Sequence, residues 1–200
     1  MNIVTIISYT GIFVFALTGA LKAKTHQMDI FGATVLAFVT AYGGGTVRDM
    51  LIGIQPVNWI NNYLALTLVV IAVIIVAFVN KGFTKFRRSI FITDAIGLGL
   101  FTAAGIEVSL LHGVNNTYAV IMGMITGTFG GLIADMLSNT VPDLLKRGEF
   151  YATASLIGGI IYILLKEFNF SHDAGLACCV IIVVAVRIIS KIKRLMLPEV

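Results

Sequence analysis

Apolar positions along this chain gather into long, nearly unbroken runs and do not alternate with polar ones. Seven runs occupy approximately residues 3–21, 30–52, 63–80, 92–111, 117–138, 150–166 and 174–190. Each is close to the roughly 20 residues a helix needs to cross a hydrocarbon core. None has the alternating apolar and polar positions of a barrel strand. The pattern predicts an all-α membrane protein with seven transmembrane helices and short connections that carry most of the charge.

The runs are not independent of one another. At a constant offset of 86, Gly11, Phe15 and Gly19 match Gly97, Phe101 and Gly105, and His26, Ala33 and Pro56 match His112, Ala119 and Pro142. Thr67, Ile71, Ile74 and Ile75 match Thr153, Ile157, Ile160 and Ile161 at the same offset. Three spans make one unit, an odd number, so the second unit enters the membrane upside down, as an inverted repeat. The expected organisation is a first three-helix repeat at 1–86, a second, inverted repeat at 87–172, and a seventh helix with its tail at 173–200. Small residues also recur every four positions, at Ala33, Ala37, Ala41 and Gly45 and at Ala119, Gly123, Gly127 and Gly131. Such strips let helices approach closely, which makes the second and fifth spans the expected centre.

Composition agrees: 58% of residues are hydrophobic and 12% charged, against about 25% charged in soluble chains. The net charge of +4 does not point to nucleic acid, because it resides in the loops. Twelve of the 14 Lys and Arg residues fall in the loops after the first, third and fifth spans and in the tail region. Loops 53–62, 112–116 and 167–173 have none. The positive-inside rule then places the amino terminus outside and the carboxyl terminus in the cytoplasm. Met1-Asn2-Ile3-Val4 lacks the positive n-region of a signal peptide, so the first span is expected to be retained. Cys178 and Cys179 are adjacent in an apolar run and read as small fillers, since neighbours seldom satisfy disulfide geometry.

The stretch richest in chemistry is Thr40-Ala41-Tyr42-Gly43-Gly44-Gly45-Thr46-Val47-Arg48-Asp49-Met50-Leu51. Three glycines weaken a helix by roughly 1 kcal/mol each relative to alanine, and buried charge follows at once. A related stretch, Thr126 to Leu137, repeats its Thr, two glycines (Gly130 and Gly131), Asp135, Met136 and Leu137. Two glycine breaks related by inverted symmetry would meet near the midplane, where freed backbone groups and half-helix ends can face an ion. The alternative is that the glycines only permit close packing. Arg48 and Asp49 project about 100° apart on a helix and need not pair. Asp49, Asp135 and Glu107 are the carboxylates available to neutralise the arginine, whose other reading is a structural clamp or a contact to lipid phosphate.

Asp94 reads as an N-cap of the fourth span, with Thr93 as the other choice. Glu107 lies deeper, snorkelling or facing an aqueous path. Thr10, Thr18, Thr40, Thr46, Thr102, Thr126 and Thr128 are candidates to line a hydrated route, although threonines in membrane helices more often bond their own backbone. Trp59 reads as an interfacial anchor. His26 and His112 fall in loops on opposite faces, and no metal or other cofactor is predicted. The sequence contains no nucleophile–base pair or phosphate loop, and gives no positive reason to expect an enzyme.

A glycine triplet followed by Thr-x-Arg-Asp in the second of seven spans, with Gly-Gly and Asp returning in the fifth, resembles the prokaryotic branch of the trimeric intracellular cation (TRIC) channel family. The similarity covers residues 8–190. It implies a homotrimer in the inner membrane with one pore per protomer, conducting monovalent cations, chiefly potassium. It also implies that Gly43, Gly44, Gly45, Gly130 and Gly131 are kinks in the pore helices; the residues' own chemistry, apart from the resemblance, makes Thr40, Thr46, Arg48, Asp49, Glu107, Thr126 and Asp135 the candidates for the ion pathway. Phe129 replaces the first glycine of the second triplet, a departure that bears on equal bending of the two helices. Membrane lipids are the remaining expected partner. The animal branch is similar in holding an anionic lipid with basic residues, but no residue-level match carries that site here.

The same sequence group is also labelled glycine-transporter-like, so a carrier of glycine or another small amino acid is the second reading. Its carboxylate would meet Arg48 and its ammonium Asp49 or Asp135. A non-conducting assembly or lipid-binding subunit is the third.

Overall fold

A computed structural model describes residues 3–79, 83–146 and 150–196, with side chains at 83–85 excluded. The loop cations Lys81 and Arg147 lie outside the described residues. Seven helices follow in order: α1 (Ile3–Thr25), α2 (Ile30–Ile52), α3 (Tyr63–Phe78), α4 (Phe83–Leu111), α5 (Asn116–Leu137), α6 (Ala152–Glu167) and α7 (His172–Lys193). Local chemistry sets several of their ends. Asp29 caps α2 by accepting from the Gly32 amide at 2.7 Å, and α2 stops at Gly53, which takes φ 76°, a conformation that glycine adopts without steric cost. Asn62 and Asn115 cap α3 and α5 in the same way as Asp29.

Lys22 and Lys24 occupy the last turn of α1, where cations oppose the helix dipole. Lys24 also reaches across to the carbonyls at the end of α3, with its Nζ at 2.9, 3.0 and 2.8 Å from those of Val76, Ala77 and Val79.

α1, α2, α4 and α5 form a four-helix centre. α3 packs on α1 and α2, α6 on α4 and α5, and α7 on α4 and α6. The inverted repeat is visible in matched contacts. Gly11 faces the Phe101 ring and Gly97 faces the Phe15 ring, and the two rings meet edge to face at 5.0 Å between centroids. Gly19 lies against Ala37 and Thr40 of α2, while Gly105 lies against Gly123 and Thr126 of α5. Each pair is the other shifted by 86 residues, so the pseudo-two-fold axis runs between α1 and α4 and between α2 and α5.

Among the described residues, five helices are long and apolar enough to cross a membrane: α1, α2, α5, α7 and the Phe86–Leu111 part of α4. α3 and α6 have 16 residues each, a rise of about 24 Å, and are the short third members of the two repeats. α4 begins well before the apolar run expected at 92–111. Its first turns carry Arg87 and Arg88, and a helix continues past the hydrocarbon wherever its backbone bonds stay satisfied. Asp94 is therefore no N-cap. It lies inside α4 and is 2% exposed.

The expected break at the glycines is also absent, since α2 and α5 run as uninterrupted helices through Gly43–Gly45 and Gly130–Gly131. Cys178 and Cys179 are free thiols.

Candidate functional site

Midway along both helices, α2 and α5 touch backbone to backbone. A Cβ on Gly44 would overlap the Thr126 carbonyl, and a Cβ on Gly130 would overlap the Thr40 carbonyl. Residues 40 and 126, like 44 and 130, are equivalent across the repeat. The glycines thus provide a close approach at the centre of the bundle. Gly43 continues this contact against Gly130 and Ile133, and Gly131 faces the Tyr151 hydroxyl. Gly45, one position on, has only the Arg48 guanidinium at 3.8 Å.

From this crossing a cavity of about 350 Å³ opens between α1, α2, α4 and α5, toward the face that holds the α2–α3 and α4–α5 loops. Of the residues named for the pore kinks or the ion pathway, Gly45, Thr46, Arg48, Asp49 and Thr126 line it. Thr40 is buried beside the crossing, with its hydroxyl donating to the Leu36 carbonyl at 2.7 Å. Thr18, Thr102 and Thr128 likewise bond the carbonyl four residues earlier, and Thr10 is exposed.

Arg48 and Asp49 pair, so that of the three carboxylates open to the arginine it is Asp49 that neutralises it. The guanidinium donates from Nε at 2.9 Å and from Nη2 at 2.6 Å to the same carboxylate oxygen, Oδ1. Asp49 is 1% exposed and Arg48 6%, and at that burial an unmatched charge would be costly. The long arginine stem therefore folds back across the angle between adjacent side chains. The Asn58 amide completes the carboxylate, donating to Oδ2 at 2.9 Å. Trp59 is half-buried and turns its indole inward. Its indole donates to Thr46 Oγ1 at 3.0 Å, and its ring packs on Phe38 at 5.2 Å.

The other half of the repeat builds the counterpart at the opposite, lysine- and arginine-rich face. Asp135 accepts from the Asp143 backbone amide at 3.0 Å, as Asp49 does from Asn58. No arginine precedes Asp135. Its cation comes from another helix: Lys22 Nζ donates to Oδ1 at 2.7 Å, with both side chains under a tenth exposed. Sequence reasoning counted Lys22 only as a loop cation. The signal it passed over is that the helical pattern continues to Thr25, which carries Lys22 inside the bundle.

Beside this pair, Arg187 of α7 bonds Asp94 at 3.1 Å and stacks over Tyr151, whose hydroxyl donates to Asp94 at 2.9 Å. Burial alone would raise the carboxyl of Asp143, but the hydrogen bond from Lys146 and the charges of Lys22, Lys146 and Arg187 hold it below its ordinary value. Glu107 stands away from the cavity, between α4, α6 and α7, accepting from Tyr162 and bonded to His172 at 2.9 Å.

Comparison with known proteins follows the same geometry. A family model described as "Glycine transporter" matches twice, over residues 5–81 and 91–167. A UPF0126 membrane protein of Vibrio cholerae is 40% identical over 177 residues, covering 88% of this chain and 73% of the relative. The UPF0126 inner membrane protein YadS of Escherichia coli K12 is 38% identical over 153 residues, covering 76% of this chain and 73% of its own. Among solved structures, the TRIC trimeric intracellular cation channel orthologue from Rhodobacter sphaeroides superposes with a TM-score of 0.90 at 32% identity, over 98% of this chain and 100% of that one. A second structure, described under conductance through TRIC cation channels, gives 0.84 at 35% identity, over 98% and 96%. With matched glycine contacts in both halves and relatives at this level of identity, the chain belongs to the prokaryotic TRIC channel family.

Proposed function

We propose that this protein is a potassium-permeable channel for monovalent cations, working as a homotrimer with one pathway through each protomer. The observation that carries it is the cavity between α1, α2, α4 and α5, hydroxyl-lined and ending at the glycine contact of α2 with α5. Its one arginine is already matched by a carboxylate, so a cation entering it meets no net repulsion. Channel structures that superpose over nearly the whole chain support the reading. The route continues from the cavity past Thr126 and Thr40 to the Lys22–Asp135 pair. The glycines of both clusters allow the two helices to bend or part there during conduction.

We place the cavity outside and the lysine- and arginine-rich face in the cytoplasm, on the distribution of charge. The limits 1–86, 87–172 and 173–200 divide the chain into its two repeats and the added helix.

Arg48 counts against a glycine carrier, because its guanidinium is held by Asp49 and the two ends of an amino acid would have to compete with that bond. The deciding experiment is the reversal potential of purified protein in planar bilayers under a potassium chloride gradient, repeated with glycine. Discrete currents reversing near the potassium potential are expected. Silent bilayers together with saturable glycine uptake in liposomes would replace the channel with the carrier.

A further inference from the structure

We propose that the groove between the start of α4 and the end of α7 binds an anionic phospholipid of the cytoplasmic leaflet. It lies apart from the cavity between α1, α2, α4 and α5, so the proposal stands independently of how ions cross. The groove has a volume of about 560 Å³. Three cations line it, Arg87, Arg88 and Lys191, together with Ile92, Ile188 and Ile192. No carboxylate is among the described residues that line it.

Its depth follows from the sequence. The apolar run of α4 begins at about residue 92 and that of α7 ends at about 190. The groove therefore straddles the level at which both helices leave the hydrocarbon. Ile92 and Ile188 fall within the runs, and the three cations fall just beyond them, on the lysine- and arginine-rich face. A phospholipid divides in the same way, with acyl chains below and a phosphate at the boundary. The inverted repeat supplies no second copy of this groove. At the offset of 86, Arg87 and Arg88 correspond to Met1 and Asn2, and α7 has no equivalent.

Both halves of the groove are accessible. Ile92, Ile188 and Ile192 are exposed, as are Arg87 and Arg88. Neither arginine has a hydrogen bond or ion pair with any described residue. Phe91 also lines the groove and holds Lys191, whose Nζ stands 3.5 Å from the ring centroid. A cation over an aromatic face is attracted to it, which keeps the ammonium at the groove. Guanidinium groups match phosphate oxygens with two parallel hydrogen bonds, and an ammonium adds a point charge. With no carboxylate in the lining, the amine of a zwitterionic headgroup finds no partner. A headgroup with surplus negative charge uses all three cations, the preference of basic pockets at the cytoplasmic ends of membrane helices.

The test is native mass spectrometry of the full chain, purified in detergent as the oligomer it forms. It is titrated with dioleoylphosphatidylglycerol and, separately, with dioleoylphosphatidylethanolamine. Wild type should bind the first at least about tenfold more tightly. Arg88→Gln and Lys191→Gln should each weaken phosphatidylglycerol binding about fivefold and leave phosphatidylethanolamine binding unchanged. Lys193→Gln removes the same charge from a residue that does not line the groove and should change neither. The melting temperature of Arg88→Gln without lipid should equal that of wild type, because the side chain is exposed and has no protein partner. Equal affinity for the two lipids would overturn the proposal, and would point to a second copy of the chain covering the groove. An equal loss in Lys193→Gln would overturn it by reducing the effect to net charge. Displacement of the lipid by inorganic phosphate would show that the phosphate group alone is recognised, and would overturn the lipid assignment.

Discussion

Replacing Gly44 by alanine probes the central crossing most directly. The added methyl would overlap the Thr126 carbonyl oxygen and lie 2.8 Å from its carbon and 3.0 Å from the Ile125 oxygen. All three are backbone atoms of an uninterrupted helix and cannot swing aside as a side-chain tip can. α2 and α5 must part by roughly an ångström, which forfeits dispersion along the whole interface. Overpacking of this kind costs up to about 3 kcal/mol. Alanine recovers about 1 kcal/mol of helix propensity, so the net loss is about 2 kcal/mol.

Gly130→Ala meets the equivalent obstacle at Thr40 and should cost a similar amount. Because one separation relieves both clashes, the double substitution should cost about 1–2 kcal/mol less than the sum of the two. Gly45→Ala is the internal control. With nothing nearer than Arg48 at 3.8 Å, it should leave stability unchanged or raise it. Reversible unfolding in mixed detergent micelles measures all four variants. Equal losses at 44 and 45, or strict additivity of 44 with 130, would refute the view that one backbone contact sets these glycines.

Asp135→Asn should lower potassium flux and cost about 3 kcal/mol by leaving Lys22 buried opposite a neutral group. Lys22→Met combined with Asp135→Leu should recover most of the stability in the same unfolding assay. Trp59→Phe keeps the contact with Phe38 but loses the bond to Thr46, an expected loss of about 1 kcal/mol.

Asp143 predicts a pH dependence. Its folded carboxyl lies below the ordinary value of 3.8, so its contribution is fully present above that value and is lost as the pH falls through the folded one. Melting temperatures of wild type and Asp143→Asn should differ by a constant amount at neutral pH and converge under acid.

The sequence by itself determined the spans, the inverted repeat and the central place of α2 and α5. Hydropathy and a fixed offset of 86 residues are properties read along one dimension. Gly11, Gly19 and Gly44 could be matched to Gly97, Gly105 and Gly130 before any contact was known, and in the structure each pair makes equivalent contacts.

Only the tertiary structure decided how the buried charges are matched. Asp135 lies 113 residues from Lys22, and Asp94 lies 93 from Arg187. No periodicity links residues so far apart, because their pairing depends on how helices from both repeats and α7 stack. Arg48 and Asp49 are adjacent, yet their pairing too followed from burial, which removes water as the alternative partner. The same holds for the glycines. A run of three weakens an isolated helix, whereas packing against Thr126 and Thr40 allows these helices to continue and uses the missing side chains for contact.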